Sequence, residues 1–359
     1  GDYIMALSTI GTNQIASEAV TVPKVADQVL SSRNLIINGE MSVAQRGTSS
    51  TTNGYGSVDR WKLTYGGGGT LTHSQQSLTS GSPYQEGFRS SFRATVTSAS
   101  NAAGTYAQLE QRIEAQNMAQ SGWEYTSTSS SLTLSFWAKS SLAGTYYVQF
   151  RTVDTTEYYY NKSFTLAANT WKKITCTVAG NSNLVINNDN GSGFSVLVVP
   201  DYGTTYTGDA EAVTGAWYTR TQADGYFPNF AQDWHNTGSA TFEITGVQLE
   251  VGDTATPFEH ENYGTTLEKC RRYCYVAPQH LGYTNGANSA TLAPSGTIQF
   301  SPNMRASPTC TGTYTPQSGS AGTFAIASIN YSYVHVYNSD SNWNVVAILV
   351  SDFKAEAEL

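Results

Sequence analysis

Apolar and polar residues alternate with a period of two along several stretches in the middle of the chain. The apolar positions of the first stretch are Leu132, Leu134, Phe136 and Ala138, and their polar neighbours include Thr133 and Lys139. Such alternation predicts a β-strand with one buried face. It recurs over residues 146–151, 174–178 and 194–198. The turn Ala143-Gly144 predicts that the first two strands form a hairpin. Repeated short strands and turns favour an all-β fold over an α/β fold.

The alternation changes phase once, in the strand that ends this block. Phe242 and Ile244 have one parity, whereas Val247, Leu249 and Val251 have the other, and Gly246 lies at the change. An extra residue in a strand shifts its register by one, and glycine tolerates the dihedral angles that this requires. We therefore predict a β-bulge at Gly246 that keeps both sets of apolar residues on the core side.

Two stretches have helical spacing instead. Tyr106, Leu109 and Ile113 lie three and four residues apart and predict a short helix that caps one end of the sandwich. A second helix is predicted from a stripe of four residues that faces a core, with both cysteines buried. The stripe consists of Tyr263, Leu267, Cys270 and Cys274.

Beyond this second helix, further strands are expected between proline and glycine breaks. Their predicted ranges are 297–300, 324–329, 331–337 and 344–353. In the last strand Trp343, Val345, Ala347 and Leu349 occupy one face and Val346, Ile348 and Val350 the other. A strand that is apolar on both faces needs cover on both, and a neighbouring subunit is the expected cover for one of them.

Composition narrows the possible functions. Only 13% of the residues are charged, the formal net charge is −8, and Lys and Arg do not cluster, so neither nucleic acid nor an anionic membrane is an expected partner. The longest apolar run, residues 345–350, is far shorter than the roughly 20 residues of a membrane-spanning helix. The four cysteines are too few and too irregularly spaced for a disulfide framework, so we expect free thiols. The N-terminus has no signal-peptide pattern, and Met5 is the expected native start.

No motif predicts an enzyme or a cofactor. A nucleophile elbow, a zinc-protease helix and a phosphate-binding loop are all absent from the sequence, and the five histidines have no ligand spacing. Two carboxylates held at a set distance would suffice for glycoside hydrolysis. The acidic residues of one loop-rich region are the candidates, and solvated loop acids are the alternative interpretation: Asp201, Asp209, Glu211, Asp224 and Asp233. Candidate calcium ligands are Glu40, Asp59, Glu250 and Asp253, but they form no recognisable loop. We predict no catalysis, no metal and no cofactor.

Aromatic residues give the better indication of function. Sugars stack their C–H faces on aromatic rings while their hydroxyls form hydrogen bonds with polar side chains. Several rings lie beside such side chains, although they are equally compatible with sheet edges or a subunit interface. The glycan-binding candidates are Tyr158, Tyr160, Trp217, Tyr218, Trp234, Tyr333 and His335.

Three segments resemble the framework strands of a β-sandwich module found in bacteriophage tail fibres and receptor-binding virion proteins. They read NLIINGEMSVAQRG (residues 34–47), VDRW (58–61) and GVQLEVGDTATPFEH (246–260). The resemblance covers roughly two thirds of the chain, and its strand order is similar to the jelly rolls of carbohydrate-binding modules. It implies a jelly-roll β-sandwich with a short capping helix, followed by a smaller C-terminal β domain opened by a helix.

The resemblance also implies a division of labour along the chain. Residues 1–33, which contain IGTNQIA, resemble leaders that attach to other virion tail proteins or wind around their copies. Residues 34–261 would form the jelly roll, and residues 262–359 a distal β domain. The expected protein is a homotrimeric tail-fibre or receptor-binding protein in the phage tail that mediates adsorption to bacterial surface glycans. The alternatives are a monomeric carbohydrate-binding module of a polysaccharide-degrading system, a depolymerase with unrecognised carboxylates, and a structural fibre without a ligand.

Overall fold

The computed structural model describes residues 33–283, 295–316, 324–338 and 347–359. Within these residues the strands form three six-stranded sheets, all paired antiparallel. The predicted leader, residues 1–32, and the part of the last predicted strand that contains Trp343, Val345 and Val346 lie outside the described residues. The fold is all-β, a jelly-roll sandwich with short helices followed by a further β-sheet.

Two of the sheets face each other and form the sandwich. In spatial order, sheet 1 contains β1 (Ser49–Ser50), β3 (Thr70–Ser77), β4 (Ser90–Ser98), β12 (Thr241–Val251), β6 (Ser131–Ser140) and β9 (Lys172–Ala179). Sheet 2 contains β11 (Trp217–Tyr218), β8 (Tyr158–Leu166), β7 (Gly144–Thr152), β10 (Ser192–Tyr202), β5 (Tyr106–Glu114) and β2 (Lys62–Gly66). Alternate residues of each strand fill the space between the sheets, including Trp61, Phe92, Phe136, Phe150 and Phe194.

The predicted hairpin around Ala143-Gly144 is wrong. The two strands exist, but β6 lies in sheet 1 between β12 and β9, whereas β7 lies in sheet 2 between β8 and β10. Because both edges of β6 are already paired, the chain crosses from one sheet to the other, and both strands direct their apolar faces into the same core. The hydroxyl groups of Ser140 and Tyr146 form a hydrogen bond of 2.7 Å across this crossing.

The predicted capping helix over Tyr106, Leu109 and Ile113 is also wrong. These residues belong to strand β5, and the helix α2 (Ala115–Ala119) begins only after it. Ala107, Leu109 and Ile113 face the core, while residues 106, 108, 110 and 112 face outward. Within nine residues, apolar positions can fit the spacing of a helix and that of a strand. Here the segment forms a strand because it pairs with β2 on one side and β10 on the other.

The β-bulge at Gly246 is confirmed. Thr245 pairs with Trp137 and Gln248 with Ser135, so β12 carries one extra residue, and Gly246 has a φ of 60°. Phe242, Ile244, Val247 and Leu249, on both sides of the bulge, are fully buried in the same core, whereas Val251, which is predicted to face the core too, is 38% exposed at the end of the strand.

The bulge also anchors the segment at which the described chain begins. The side chain of Asn34 donates to the Val247 carbonyl and accepts from the Leu249 amide, and the Val247 amide donates to the Gly39 carbonyl. A Cβ atom at Gly39 would lie 2.1 Å from the Val247 carbonyl oxygen, so only glycine fits there. Segments 34–39 and 246–249, which carry the sequence resemblance, are therefore in direct contact.

The third sheet follows the helix α3 (Tyr263–Arg271). In spatial order it contains β15 (Thr309–Pro316), β18 (Ala347–Glu356), β13 (Cys274–Tyr283), β14 (Ser295–Gln299), β17 (Tyr333–Asn338) and β16 (Phe324–Ile329). The second predicted helix is thus confirmed, and Cys270 and Cys274 are buried as expected, although Cys274 begins β13 and Tyr263 is 56% exposed. All four cysteines are free thiols. The remaining helix of the described residues is α1 (Ser82–Gln85).

Buried ion pairs join the third sheet to the sandwich. Arg46 bonds to Glu356 at 2.7 Å and to Glu358 at 2.9 Å, and Arg60 also bonds to Glu358. The guanidinium of Arg60 lies 3.5 Å from the centre of the Tyr273 ring. The side chains of Arg46 and Arg60 are only 3% and 1% exposed, so the two glutamates are their necessary counter-charges.

A second set of contacts joins the same two parts. Glu114, at the end of β5, accepts two hydrogen bonds from Arg272, at 2.8 and 2.7 Å, and one from the Tyr273 hydroxyl at 2.6 Å. Burial alone would raise the pKa of Glu114, but the hydrogen bonds from Arg272 and Tyr273 hold it below its usual value. The carboxylate therefore stays ionised and keeps both donors in place.

We predict that Gly246→Ala destabilises the protein by about 3 kcal/mol. The new Cβ would lie 2.5 Å from the Phe88 ring, and alanine disfavours the positive φ. Chemical denaturation of the full chain measures the loss. Gly238→Ala is the control, because nothing lies within 4 Å of a Cβ there. Equal stability of the two variants would contradict the assigned bulge.

Candidate functional site

The outer face of sheet 2 combines charged side chains with tyrosines. Because the residues facing the core alternate with those facing away, β2 presents Lys62 outward, β5 presents Tyr106, Glu110 and Arg112, and β7 presents Arg151. Lys62 pairs directly with Glu110 across β2 and β5. Three strands, with β10 between β7 and β5, thus contribute these residues to one polar surface.

Glu110 is the centre of this surface. Its side chain is fully buried, and one of its oxygens accepts from Arg112 Nε at 2.9 Å and from Arg151 Nη2 at 3.1 Å. Burial alone would raise the pKa of Glu110, but Arg151 and Arg112 lower it below its usual value. Burial lowers the pKa of Lys62, with Arg112 and Arg151 adding to this effect and Glu110 opposing it. The four groups therefore form one coupled electrostatic unit.

Tyrosine rings continue the surface along the same strands. The ring of Tyr106 lies 5.6 Å from that of Tyr202 and 5.8 Å from that of Tyr206, centre to centre. Tyr226 lies 6.0 Å from Tyr202 and carries the guanidinium of Arg220 at 3.9 Å from its own ring centre. Tyr106, Tyr206 and Tyr226 are half-buried, so ring surface remains accessible.

A chain of hydrogen bonds connects the rings to the charges. The Tyr202 hydroxyl donates to the side-chain oxygen of Gln108, and Gln108 Nε2 lies 3.4 Å from Glu110. We call the combined surface the tyrosine–arginine face. It consists of Lys62, Tyr106, Gln108, Glu110, Arg112, Arg151, Tyr202, Tyr206, Arg220 and Tyr226.

Residues 203–240, the covering segment between β10 and β12, determine which part of sheet 2 stays open. Phe227 and Phe230 of this segment pack on Tyr147 of β7. The backbone carbonyl of Tyr226 accepts from Gln149 and Asn161, at 3.2 and 3.0 Å. Part of the outer face is therefore closed by protein, and the tyrosine–arginine face combines the strand residues left open with Tyr206, Arg220 and Tyr226 of the covering segment itself.

A cleft of about 370 Å³ borders this face where β10 ends. Its lining includes Tyr202, Asn229, Gln232 and the acids Asp201 and Asp233. Asp201 is buried and accepts from the His235 backbone amide at 3.0 Å, and burial raises its pKa to about 6. Sequence analysis named both acids as candidate carboxylates, and the structure brings them to one cleft.

The other three candidate acids do not join them. Glu211 accepts hydrogen bonds from the backbone amides of Thr221 and Gln222, at 2.7 to 3.0 Å, and so ties the covering segment to itself. The Asp209 side chain accepts from the Glu211 amide at 2.8 Å. Asp224 contributes its backbone carbonyl to the same turn region. These acids stabilise loops.

A larger cavity, of about 620 Å³, lies between α2 and α3. Its three cations are already neutralised, since Arg272 pairs with Glu114, Lys269 with Glu261 and Arg33 with Glu250. Its one aromatic ring, Tyr273, is buried with its hydroxyl bonded to Glu114. Because this cavity offers neither an accessible ring nor an uncommitted charge, the smaller surface on sheet 2 is the better candidate site.

The structure separates the aromatic residues that sequence analysis proposed as glycan ligands. Tyr158, Tyr160 and Trp217 pack against the sandwich core, and Trp217 donates to the Ala179 carbonyl at 2.7 Å. Trp234 is fully buried and donates to the Thr241 carbonyl, so its prediction as a binding residue is wrong. All four rings are thus used to complete the core of the sandwich.

Three candidates remain at the surface. Tyr218 lies beside the tyrosine–arginine face, where its ring is 5.7 Å from that of Tyr159 and its hydroxyl donates to the Tyr226 carbonyl. Tyr333 and His335 lie on β17 of the third sheet, on the face opposite the buried Val334 and Val336. These two half-exposed residues therefore form a separate surface.

Sequence analysis missed most of the tyrosine–arginine face. The signal was present in the alternation of Tyr106, Gln108, Glu110 and Arg112 with smaller or apolar residues, but the same stretch was interpreted as a helix. The contributions of Arg151 and Arg220 depend on strand order and on the path of the covering segment. Neither can be obtained from local pattern.

The candidate calcium ligands are engaged in other contacts. Asp59 bonds to Arg46 and Gln45, Glu250 accepts from Thr256, and Glu40 lies 3.8 Å from His260. Within the described ranges, no three His, Cys, Asp or Glu side chains are grouped to hold a metal ion. None of the described helices has the length and apolar character needed to cross a bilayer.

No protein-family model and no curated protein sequence matches the chain. Among solved structures it is similar to the enzymatically active domain of tailspike protein 4 of bacteriophage CBA120, at 14% identity and a TM-score of 0.33. This match covers 61% of the chain and 21% of the tailspike domain. The fold assignment rests on the strand order described above, because a TM-score of 0.33 is too low to support it.

Two smaller proteins give matches of the same kind. A putative sugar binding protein from Bacteroides thetaiotaomicron has 14% identity and a TM-score of 0.34, covering 61% of this chain and 100% of that one. The N-terminal cellulose-binding domain of Cellulomonas fimi β-1,4-glucanase C has 12% identity and a TM-score of 0.30, covering 60% and 99%.

We predict that Asp201 makes the stability of the protein depend on pH. The pKa of Asp201 rises from 3.8 to about 6 on folding. Its contribution to the free energy of unfolding is therefore fully present below about pH 4 and is lost as the pH rises through 6. The loss is roughly 3 kcal/mol. Asp201→Asn should remove this dependence, which is measured as the difference between the two unfolding free energies at pH 4 and pH 8. A difference that does not change with pH, or one that the exposed Asp253→Asn reproduces, would contradict the prediction.

Proposed function

We propose that this protein is a receptor-binding protein of a bacteriophage tail fibre that binds bacterial surface glycans on its tyrosine–arginine face, without catalysis. The observation that carries the proposal is the position of the half-buried rings of Tyr106 and Tyr206 beside Tyr202, which a hydrogen bond to Gln108 connects to the charged network around Glu110. The jelly roll supplies the rigid support, since every strand that contributes to the face is paired on both sides or held by the core.

The chemistry of the face suits a sugar. Tyr106, Tyr206 and Tyr226 offer flat apolar surface for the C–H side of a sugar ring. Gln108 and the arginines supply hydrogen-bonding groups of fixed orientation for the hydroxyls, because each is already held by a protein partner. Binding to a preorganised surface loses less conformational entropy than binding to mobile side chains.

The virion part of the proposal is supported by the resemblance of segments 34–47, 58–61 and 246–260 to tail-fibre framework strands. These segments are the ones that fasten the sandwich: Asn34 bonds to the bulge of β12, and Asn38 bonds to the carbonyls of Val43 and Asp59. In a trimeric fibre, three weak glycan sites act together through effective concentration. A leader bound to other tail proteins would place these sites at the bacterial surface.

We predict that the full chain binds members of an array of bacterial surface polysaccharides, and that Tyr106→Ala and Tyr206→Ala each weaken binding to the best member about tenfold. The loss follows from removing stacking surface at the tyrosine–arginine face. Calorimetric titration measures the affinities. Tyr333→Ala, which removes a half-exposed tyrosine of the third sheet, is the matched control.

Three outcomes of this experiment bear on the proposal. Loss of binding in Tyr333→Ala alone would move the site to the third sheet. Release of reducing ends from the bound polysaccharide would replace binding without catalysis by hydrolysis, with Asp201 and Asp233 as the first residues to substitute. No binding to any polysaccharide would contradict the proposed function.

We also predict that the full chain is a trimer in solution. Light scattering coupled to size exclusion should give three times the chain mass of 38.7 kDa, about 116 kDa. A monomeric mass would favour the alternative of an isolated carbohydrate-binding module, because a single copy lacks the multivalency on which a fibre depends.

A further inference from the structure

The tyrosine–arginine face carries more positive than negative charge. Lys62, Arg112 and Arg151 surround one carboxylate, Glu110, so these four groups have a formal charge of +2. The whole chain, by contrast, has a formal charge of −8. The positive charge is therefore a local property of this face, because the composition of the whole chain is acidic.

Several donors of this cationic cluster have no partner among the described residues. Arg151 Nε is buried and makes no hydrogen bond, and no described carboxylate lies within 4 Å of Lys62 Nζ. The hydroxyl of Ser195, which stands between Arg112 and Arg151 in the strand register, is also buried without a partner. Of nine such buried side-chain atoms in the described residues, four lie on this side of sheet 2. Besides Arg151 Nε and the Ser195 hydroxyl, these four atoms are Thr64 Oγ1 and Arg220 Nε.

Glu110 explains why the cations can stay close together. Its carboxylate holds Arg112 through Nε and Arg151 through Nη2, which fixes one nitrogen atom of each guanidinium group. The side chains of Arg112 and Arg151 are 29% and 14% exposed, so each reaches the open face in part, although Arg151 Nε itself is buried. Glu110 therefore acts as a positioning residue for the two arginines.

Such an arrangement matches an oxyanion. A guanidinium group presents parallel N–H donors that fit the geometry of a carboxylate or a phosphate, and charge-assisted hydrogen bonds are stronger than neutral ones. We propose that the tyrosine–arginine face selects glycans that carry an anionic group, a carboxylate or a phosphate, which Lys62, Arg112 and Arg151 bind while the tyrosines stack on the sugar rings. This inference rests on the proposed glycan-binding function.

A nucleic acid fits the face less well than an acidic sugar. Its regularly spaced phosphates require a row of cations, whereas this cluster is compact and lies in a chain whose net charge repels a polyanion. Tyr106, Tyr206 and Tyr226 are half-buried around the hydrogen-bonded Tyr202, which suits the small rings of a sugar. Double-stranded DNA is therefore a useful competitor in the test.

The test uses the full chain and an array of bacterial polysaccharides, each printed in three forms. One form is native, one has its carboxyl groups reduced to alcohols, and one has been treated with phosphatase. We expect the full chain to bind members of the native set and to lose at least tenfold in affinity when their anionic group is removed. Carboxyl reduction and phosphatase treatment distinguish the two sources of the charge. Binding should also weaken as the salt concentration rises, because ions screen exposed charges.

Matched variants locate the effect. Lys62→Gln and Arg112→Gln should each weaken binding to the native polysaccharide about tenfold, and Arg112→Lys should retain part of the affinity because it keeps the charge. Lys162→Gln is the control. Lys162 is exposed on β8 of the same sheet, but it has the same parity as the core residue Phe164 and therefore lies on the side away from the tyrosine–arginine face.

The outcomes separate the inference from the function on which it rests. Equal binding to the native and neutralised forms would overturn the anionic preference and leave glycan binding intact. No binding to any form would overturn both. Equal affinity for double-stranded DNA, or a change of solution mass in Lys62→Gln or Arg112→Gln, would also overturn the inference, because the face would then serve a nucleic acid or a subunit interface.

Discussion

The sandwich depends on keeping the apolar residues of β12 on one side of the sheet across a change of parity. The extra residue at Gly246 achieves this, and Phe242, Ile244, Val247 and Leu249 all reach the core. A bulge also leaves backbone groups unpaired. Here the segment that begins at Asn34 bonds to them, and the same segment leads on to Arg46 and Arg60, which hold the third sheet.

Local sequence pattern was sufficient for about half of the described strands and for the bulge, because a period of two and a glycine at the phase change both have direct physical causes. It failed at β5, where Tyr106, Leu109 and Ile113 satisfy helical spacing while Ala107, Leu109 and Ile113 satisfy strand spacing within the same nine residues. It failed again at Ala143-Gly144, because a short turn does not reveal whether the next strand pairs with the previous one or crosses to the opposite sheet.

The candidate site was harder to predict than the fold, for a related reason. A tyrosine or arginine on the outside of a strand is accessible only if no other part of the chain covers it. The covering segment closes Tyr147, Gln149 and Asn161 but leaves the side chain of Arg151, their neighbour on the same sheet, 14% exposed. This choice depends on contacts between residues about 80 positions apart, such as Tyr147 with Phe230, and so it has no local signature.

The junction between the sandwich and the third sheet limits how these parts can be recombined. Grafting another C-terminal sheet onto this sandwich at residue 262 would leave the buried Arg60 without Glu358 and the buried Arg46 with Asp59 as its one remaining carboxylate. An uncompensated buried charge is costly enough to unfold a marginally stable domain. The compatibility of a chimera is therefore decided by positions 46 and 60, more than 200 residues before the seam.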